Sequence, residues 1–238
     1  MINSIAERLS EVRSSISQAC LHCHRDVNEV TLVAVSKTKP SAAIASAIAA
    51  GQLHFGENYV QEAVQKIQYF ANEKQLTWHF IGPIQSNKTR DIAEYFTWVH
   101  SVDRSKIAQR LNQQRPTNMP PLNVLIQVNI DDESSKAGVA PAQVAELAAE
   151  INQLPHLKLR GLMAIPQPSH DPLQQAQSLA AMQRLFLALK SQYSELDTLS
   201  MGMSDDLDSA IAHGATMVRI GTAIFGPRDS YEPSRSNE

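Results

Sequence analysis

Eight short apolar runs recur along this chain, each separated from the next by a stretch with apolar spacing of three and four. That alternation is the mark of βα units around a parallel sheet, because a strand buried on both faces needs a helix to carry the chain back to the next one. The runs are 31–37 (TLVAVSK), 53–58 (LHFGEN), 77–82 (TWHFIG), 97–103 (TWVHSVD), 123–130 (NVLIQVNI), 157–165 (LKLRGLMAI), 198–202 (TLSMG) and 217–222 (MVRIGT). The helical stretches are 41–50, 60–71, 87–95, 104–114, 141–154, 172–193 and 205–213. Ser41 and Ser204 read as helix N-caps, Pro141 as a first-turn residue, and Gly51 and Gly214 as helix ends. Eight strands with intervening helices predict a single (β/α)₈ TIM barrel over residues 1–228, preceded by an extra N-terminal helix from Ile2 to about Leu21. A doubly wound open sheet is the alternative, since periodicity does not report closure. Residues 229–238 read as a polar, frayed tail.

Composition narrows the function classes. Of 238 residues, 43% are hydrophobic and 19% charged, which excludes a disordered or collagen-like chain. A net charge of −3 and an aromatic content of 5% argue against a nucleic-acid partner, which needs a basic field and stacking platforms. No apolar run has the roughly 18 residues of a membrane span. The mixed charges of Glu7, Arg8, Glu11 and Arg13 do not fit a signal peptide, so the expected compartment is the cytoplasm. No interface signature stands out, so a monomer is expected.

In a barrel of this kind, function collects where the strands end. Those ends carry Lys37, Asn58, Gly82, Asp103, Asn129, Met163, the segment 200–204 and the segment 219–222. Strand alternation puts Val33, Val35 and Lys37 on one face, so an amine continues an apolar inward row. An exposed ammonium has a pKa of about 10.4; lowering it to about 8 would leave roughly a tenth neutral at pH 7, enough for a Schiff-base nucleophile. Alone, Lys37 reads as a strand-end lysine snorkelling into solvent. The turns Ser200-Met201-Gly202-Met203-Ser204 and Arg219-Ile220-Gly221-Thr222 follow the last two strands, where barrels often hold phosphate beside a helix N-terminus. Gly202 and Gly221 allow close backbone approach, and Ser200, Ser204 and Thr222 offer hydroxyls. Asp205 and Asp206 sit badly beside a phosphate unless they point outward on a helix's first turn. An amine on the first strand and an anion cradle on the last two suggest a phosphorylated carbonyl compound held at both ends, and pyridoxal 5′-phosphate (PLP) fits. Arg219, deeper on the same strand face as Gly221, could then meet the ring nitrogen.

These residues also carry a resemblance. The segments 34–40 (AVSKTKP), 55–62 (FGENYVQE), 78–82 (WHFIG), 85–88 (QSNK), 160–163 (RGLM), 199–206 (LSMGMSDD) and 218–222 (VRIGT) are similar to those of the pyridoxal phosphate homeostasis protein family. The resemblance spans about Ile5 to Arg228. It implies the barrel of the alanine racemase N-terminal domain, with Lys37 as the Schiff-base lysine and with Ser200, Ser204, Gly221 and Thr222 around the phosphate. Arg219 would be the ring-nitrogen partner, with Asn58 and Met163 toward the ring and His79 as an inward residue behind the site. The family is described as non-enzymatic, a holder of PLP acting in vitamin B6 and amino-acid balance, with PLP-accepting apo-enzymes as prospective partners. No catalytic residues and no metal ligands are therefore assigned. Racemisation needs proton carriers on both faces of a planar intermediate, and the short stretch after the eighth run leads to the expectation that the second domain supplying one of them in racemases is missing here. The alternatives are a minimal PLP-dependent racemase, or a class I aldolase-like barrel in which Lys37 attacks a phosphorylated substrate without PLP.

Other motifs read as structural. Cys20-Leu21-His22-Cys23-His24 matches a haem-attachment pattern but closes an amphipathic helix, and its five crowded positions suit zinc poorly. Asp131-Asp132-Glu133 lacks the spacing of a calcium loop. Lys136 reads as a surface lysine with occasional cofactor contact as the alternative, and Met182 with Phe186 as an i, i+4 core pair.

Overall fold

The computed structural model describes residues 3–131, 137–167 and 171–227. Eight parallel strands close in sequence order into a barrel, β8 pairing with β1. They are β1 (Thr31–Val35), β2 (His54–Glu57), β3 (Thr77–Phe80), β4 (Trp98–Val102), β5 (Leu122–Gln127), β6 (Leu157–Met163), β7 (Thr198–Ser200) and β8 (Met217–Ile220). Closure excludes the open-sheet alternative. The helices are α1 (Ile5–His22), α2 (Ser41–Ala49), α3 (Val60–Tyr69), α4 (Thr89–Tyr95), α5 (Ser105–Gln114), α6 (Val144–Asn152), α7 (Pro172–Gln192), α8 (Leu207–Ala212) and α9 (Thr222–Phe225). The last of these, a single turn after β8, completes the repeat.

Strand alternation sorts the core into two shells. Leu32 and Ala34 of β1 face the helices, whereas Val33 points into the barrel with Trp98, Leu125, Met163 and Met217. The extra helix α1 begins with a capping box: Ser4 Oγ accepts from the Glu7 N–H, and Glu7 Oε2 accepts from the Ser4 N–H. Its apolar row Leu9, Val12, Ile16 and Ala19 is buried. Arg13 donates to the Ala50 carbonyl at the end of α2, and Arg25 donates to Ile211 and Ala215 at the end of α8. These charged side chains tie α1 to two helix C-termini, where cations are favoured.

Two cap assignments differ from the sequence reading. Pro40 takes the N-cap position before α2, with Ser41 the first helical residue. Asp206 takes the N-cap position of α8 without a side-chain capping bond, and Ser204 lies two residues upstream on the surface. Gly51 and Gly214 do end helices, at φ +79° and +86°. Met182 and Phe186 are core residues. The tail 229–238, Asp132, Glu133 and Lys136 lie outside the described residues.

Candidate functional site

A cavity of about 580 Å³ opens at the C-terminal mouth of the barrel, within the size range of small-molecule pockets. Its lining joins Val35, Lys37, Asn58, Ile81 and Ile165 on one side to Ser204, Arg219, Gly221 and Thr222 on the other. Closure produces this meeting: β8 lies beside β1, pairing Val33 with Arg219 and Ala34 with Ile220. Lys37 is half-buried at the rim. Lys39, the neighbouring amine, donates to the Pro227 carbonyl at 2.6 Å. Asn58 follows β2, and its side-chain oxygen is buried with no hydrogen-bond partner among the described residues. Such an acceptor costs free energy until a donor fills it.

Arg219 forms the floor. Its Nη1 donates to Ser200 Oγ at 2.7 Å and its Nη2 to the Ala164 carbonyl at 2.9 Å. Burial pushes its pKa down to about 10, against the attraction of Asp206, so it remains a cation at neutral pH. Thr222 and Ala223 occupy the first turn of α9 and line the cavity, in a position where helix N–H groups have no intrahelical partner.

Lys37, Asn58, Ser204, Arg219, Gly221 and Thr222 thus share one cavity, while Met163 and Ser200 do not line it. Met163 belongs to the apolar layer inside the barrel, and Ser200 is fully buried with its hydroxyl spent on Arg219 and His100. Gly202 is also outside the cavity: at φ +101°, a Cβ there would come within 2.7 Å of Ala210 Cβ, so it serves packing against α8. The two acidic residues part company. Asp205 lines the cavity at its exposed edge, whereas Asp206 turns inward and accepts from the Met203 N–H at 2.6 Å. A buried carboxylate needs such a donor, which explains why it does not point outward.

Some surroundings of the site went unread in the sequence. Thr38, next to Lys37, has φ +63°, a left-handed conformation costly for a β-branched residue. Its N–H donates to Glu62 Oε1 at 2.6 Å. Lys66 Nζ donates to that same oxygen, to buried Glu57 at 2.8 Å and to the Ser36 carbonyl. This cluster from β2 and α3 holds the turn that carries Lys37. Removing its cation should therefore be costly: Lys66→Met strands the Glu57 carboxylate and is expected to cost about 3–5 kcal/mol in urea unfolding, with Glu57→Gln added to it recovering part. A loss below about 1 kcal/mol would show that Glu57 is already neutral in the fold.

A polar column fills the barrel's interior below Arg219. His100 Nδ1 lies 3.0 Å from Ser200 Oγ, His79 Nδ1 lies 2.9 Å from His100 Nε2, and His54 Nδ1 lies 3.0 Å from His79 Nε2. Burial, then neighbouring charge, holds the pKa of His79 and of His100 well below 6.5. The unfolded chain therefore binds more protons than the fold below that pH, and stability is lost as pH falls through 6.5, by up to about 1.4 kcal/mol per pH unit per histidine. Thermal midpoints recorded from pH 8 to 5 should begin to drop there; a flat profile would mean that both rings take up protons in the fold as readily as in the unfolded chain. His79 was legible as inward, and the same parity reaches His54 and His100, each within a predicted strand.

The family described as "Alanine racemase, N-terminal domain" matches residues 9–229. The chain is 57% identical over 230 residues to the "Pyridoxal phosphate homeostasis protein" of Escherichia coli K12, covering 96% of this chain and 98% of the relative. The chain belongs to the pyridoxal phosphate homeostasis protein family. Among solved structures, PipY of Synechococcus elongatus PCC7942 without PLP is 39% identical over 94% of this chain and 100% of its own, with a TM-score of 0.84. The PipY structure with PLP bound is 38% identical with the same coverage, at a TM-score of 0.81. Alanine racemase of Corynebacterium glutamicum, 16% identical with a TM-score of 0.69, covers 98% of this chain and 62% of its own; it shares the barrel fold. The curated relatives of this family carry the name of a homeostasis protein rather than of an enzyme.

Among the described residues, no three His, Cys, Asp or Glu side chains gather to hold a metal ion, and no helix is long and apolar enough to cross a membrane. Cys20 is buried and Cys23 half-buried at the end of α1.

Proposed function

We propose that this chain binds PLP in the mouth cavity, covalently through Lys37, and acts as a non-catalytic holder of the cofactor in vitamin B6 and amino-acid balance. One observation carries the reading: the Lys37 amine lines the same cavity as the Arg219 guanidinium and the Gly221–Thr222 turn. A phosphorylated pyridine aldehyde asks for an amine at one end, a donor to its ring nitrogen, and N–H or hydroxyl donors at the phosphate. When bound, PLP supplies an aldehyde carbon and an electron-withdrawing ring.

Each residue then has a distinct task. Lys37 supplies the nitrogen that joins the aldehyde carbon, with the carbonyl oxygen leaving as water. Ser204, Gly221 and Thr222 hold the phosphate with hydroxyls and first-turn N–H groups. Asn58 brings its buried amide to the polar edge of the ring, which answers its unpartnered oxygen. Arg219 donates toward the ring nitrogen. A guanidinium cannot stabilise a protonated pyridine as a carboxylate does, so it restrains carbanion chemistry. Ser200 orients Arg219, and Met163 belongs to the apolar layer inside the barrel. PLP-accepting apo-enzymes as partners, a monomeric state, a cytoplasmic setting and residues 1–228 as one barrel unit complete this reading.

Purified protein reconstituted with PLP should absorb visible light, and borohydride should fix the cofactor on the peptide carrying Lys37. A colourless protein that takes up no aldehyde would reject the proposal. Steady loss of optical rotation from alanine or serine, abolished by Lys37→Ala, would replace the holder by a racemase. Arg219→Gln should shift the absorption of the loaded protein and weaken binding by about tenfold or more, since a charge-assisted bond is worth roughly 1.5–3 kcal/mol. An unchanged spectrum and titration would remove Arg219 from the ring nitrogen.

A further inference from the structure

We infer that the carboxylate of Glu62, itself held by Lys66, is a latch that fixes the Lys37–Thr38 peptide in one of two orientations and so positions Lys37 for its bond to the cofactor aldehyde. The task rests on the reading of Lys37 as the amine that joins PLP, yet neither Glu62 nor Lys66 lines the cavity. Both belong to α3, behind the strand ends, and act only through the turn.

Lys37 and Thr38 are the two central residues of a tight turn. The Lys39 N–H donates back to the Ser36 carbonyl at 3.0 Å, and of the central pair only Thr38 has a positive φ, at +63°. A turn closed from its fourth residue to its first, with φ positive at the third alone, is type II. That third position suits glycine or asparagine, and the β-branch of a threonine is strained there. A type I turn avoids the strain, since its third residue has a negative φ. The two types differ by turning over the central peptide, here Lys37–Thr38. Left to itself this turn should prefer type I, so the fold must hold it in type II.

Glu62 supplies the hold. The Thr38 N–H donates to Glu62 Oε1 at 2.6 Å. Turning the peptide over would aim that N–H the opposite way and bring the Lys37 carbonyl round toward the carboxylate, because a trans peptide sets its C=O against its N–H. Lys66 keeps Glu62 in place. Its three ammonium protons have three acceptors: the same Glu62 oxygen at 2.6 Å, Glu57 Oε1 at 2.8 Å and the Ser36 carbonyl at 2.7 Å. Glu57 is anchored in turn by the Ser36 hydroxyl, which donates to it at 2.6 Å. The flanks of the turn are fixed as well: the Ser36 N–H donates to the Gly56 carbonyl, and Pro40 takes the N-cap position of α2. The central peptide is left as the part with two settings.

The setting matters for Lys37 because its ψ differs by about 150° between the two turn types, and the rotamers open to a side chain follow its backbone. A covalent bond needs the amine nitrogen aligned with the aldehyde carbon at short range. A small misplacement therefore slows the bond while the grip on phosphate and ring stays as it was. Glu62 and Lys66 are positioning residues in this sense.

The test compares the full-length chain with Glu62→Ala, Glu62→Gln and the double variant Glu62→Ala/Thr38→Gly. Glu62→Ala leaves Lys66 its bonds to Glu57 and Ser36, so the buried pair survives. Without PLP, the unmodified chain should show a strong nuclear Overhauser contact between Lys37 Hα and the Thr38 N–H, the short distance of a type II turn, and Glu62→Ala should lose it. With PLP, Glu62→Ala should slow borohydride-trapped attachment at Lys37 by about tenfold or more. Its affinity for pyridoxine 5′-phosphate, which has the ring and phosphate but no aldehyde, should stay within about twofold of the parent. Glu62→Gln keeps an oxygen for both donors and should recover most of the lost rate. Thr38→Gly favours type II by itself, so the double variant should regain both contact and rate, which a general loss of stability would not allow. A contact absent from the unmodified chain or persisting in Glu62→Ala, an unslowed Glu62→Ala, or a double variant as slow as Glu62→Ala would each overturn the latch. If Glu62→Ala does not fold, Glu62→Met, similar in length and without an oxygen, takes its place. No trapped PLP even in the unmodified chain would instead reject the covalent reading of Lys37, with the turn contact still deciding whether Glu62 holds the peptide.

Discussion

Lys37→Ala should yield a protein that forms no covalent adduct in excess PLP, takes no label on borohydride reduction, and melts within about 0.5 kcal/mol of the parent. The first two results follow if the amine at residue 37 makes the covalent bond. Arg219 and the Gly221–Thr222 turn would still grip the phosphate and ring, so noncovalent binding should persist, weaker by about a hundredfold, or roughly 2.7 kcal/mol. The third follows from position. Lys37 is half-buried at the rim, beyond the end of β1, and its removal opens the mouth without hollowing the core. Fluorescence titration with PLP and a thermal scan check all three together. Undiminished affinity would mean that Lys37 contributes nothing to holding the ligand, and a collapsed melting transition would make it a structural residue.

Gly161→Ala should abolish the folded state, a loss on the order of 4 kcal/mol or more. Gly161 sits in β6 at φ +150°, where a Cβ would be built 1.8 Å from the Thr198 carbonyl oxygen of β7. No rotamer relieves that overlap, because both partners are backbone in adjacent strands. Its place in the ladder explains the geometry. Val124 pairs with Leu159 but Leu125 pairs with Gly161, so Arg160 is an extra residue and β6 is bulged. The bulge resets the alternation: Leu157 and Leu159 face the helices, whereas Met163 faces the barrel interior. Arg160 reaches Asn123 and pairs with Asp197 across the start of the barrel. Circular dichroism and urea unfolding of Gly161→Ala test this; a variant that folds with less than about 1 kcal/mol lost would show that β7 can move away.

Much of the site was legible because strand ends can be counted. Lys37, Asn58, Gly221 and Thr222 follow apolar runs, and a barrel gathers such positions at one mouth. Ser200 and Met163 sit at strand ends too, yet they lie deeper. β7 is only three residues long, and the bulge in β6 turns Met163 into the apolar layer. The clamp on Thr38 was invisible, because nothing in the local sequence shows that Glu57, Glu62 and Lys66 meet at the turn after β1. The cap of α8 was misplaced for a related reason: Asp206 is drawn inward by the Met203 N–H, which only the folded turn presents.

From the sequence alone came the number and order of the strands, the helices between them, the inward row of β1 and the residues at the mouth. These follow from hydrophobic period and turn chemistry, which act over a few residues and are written locally. Tertiary structure decided closure of β8 on β1, the parity shift at Gly161, and the partners of Arg219, Glu57 and the three interior histidines. Each of these depends on which backbone or side-chain group arrives from a distant part of the chain, and a buried polar group takes its state from that neighbour.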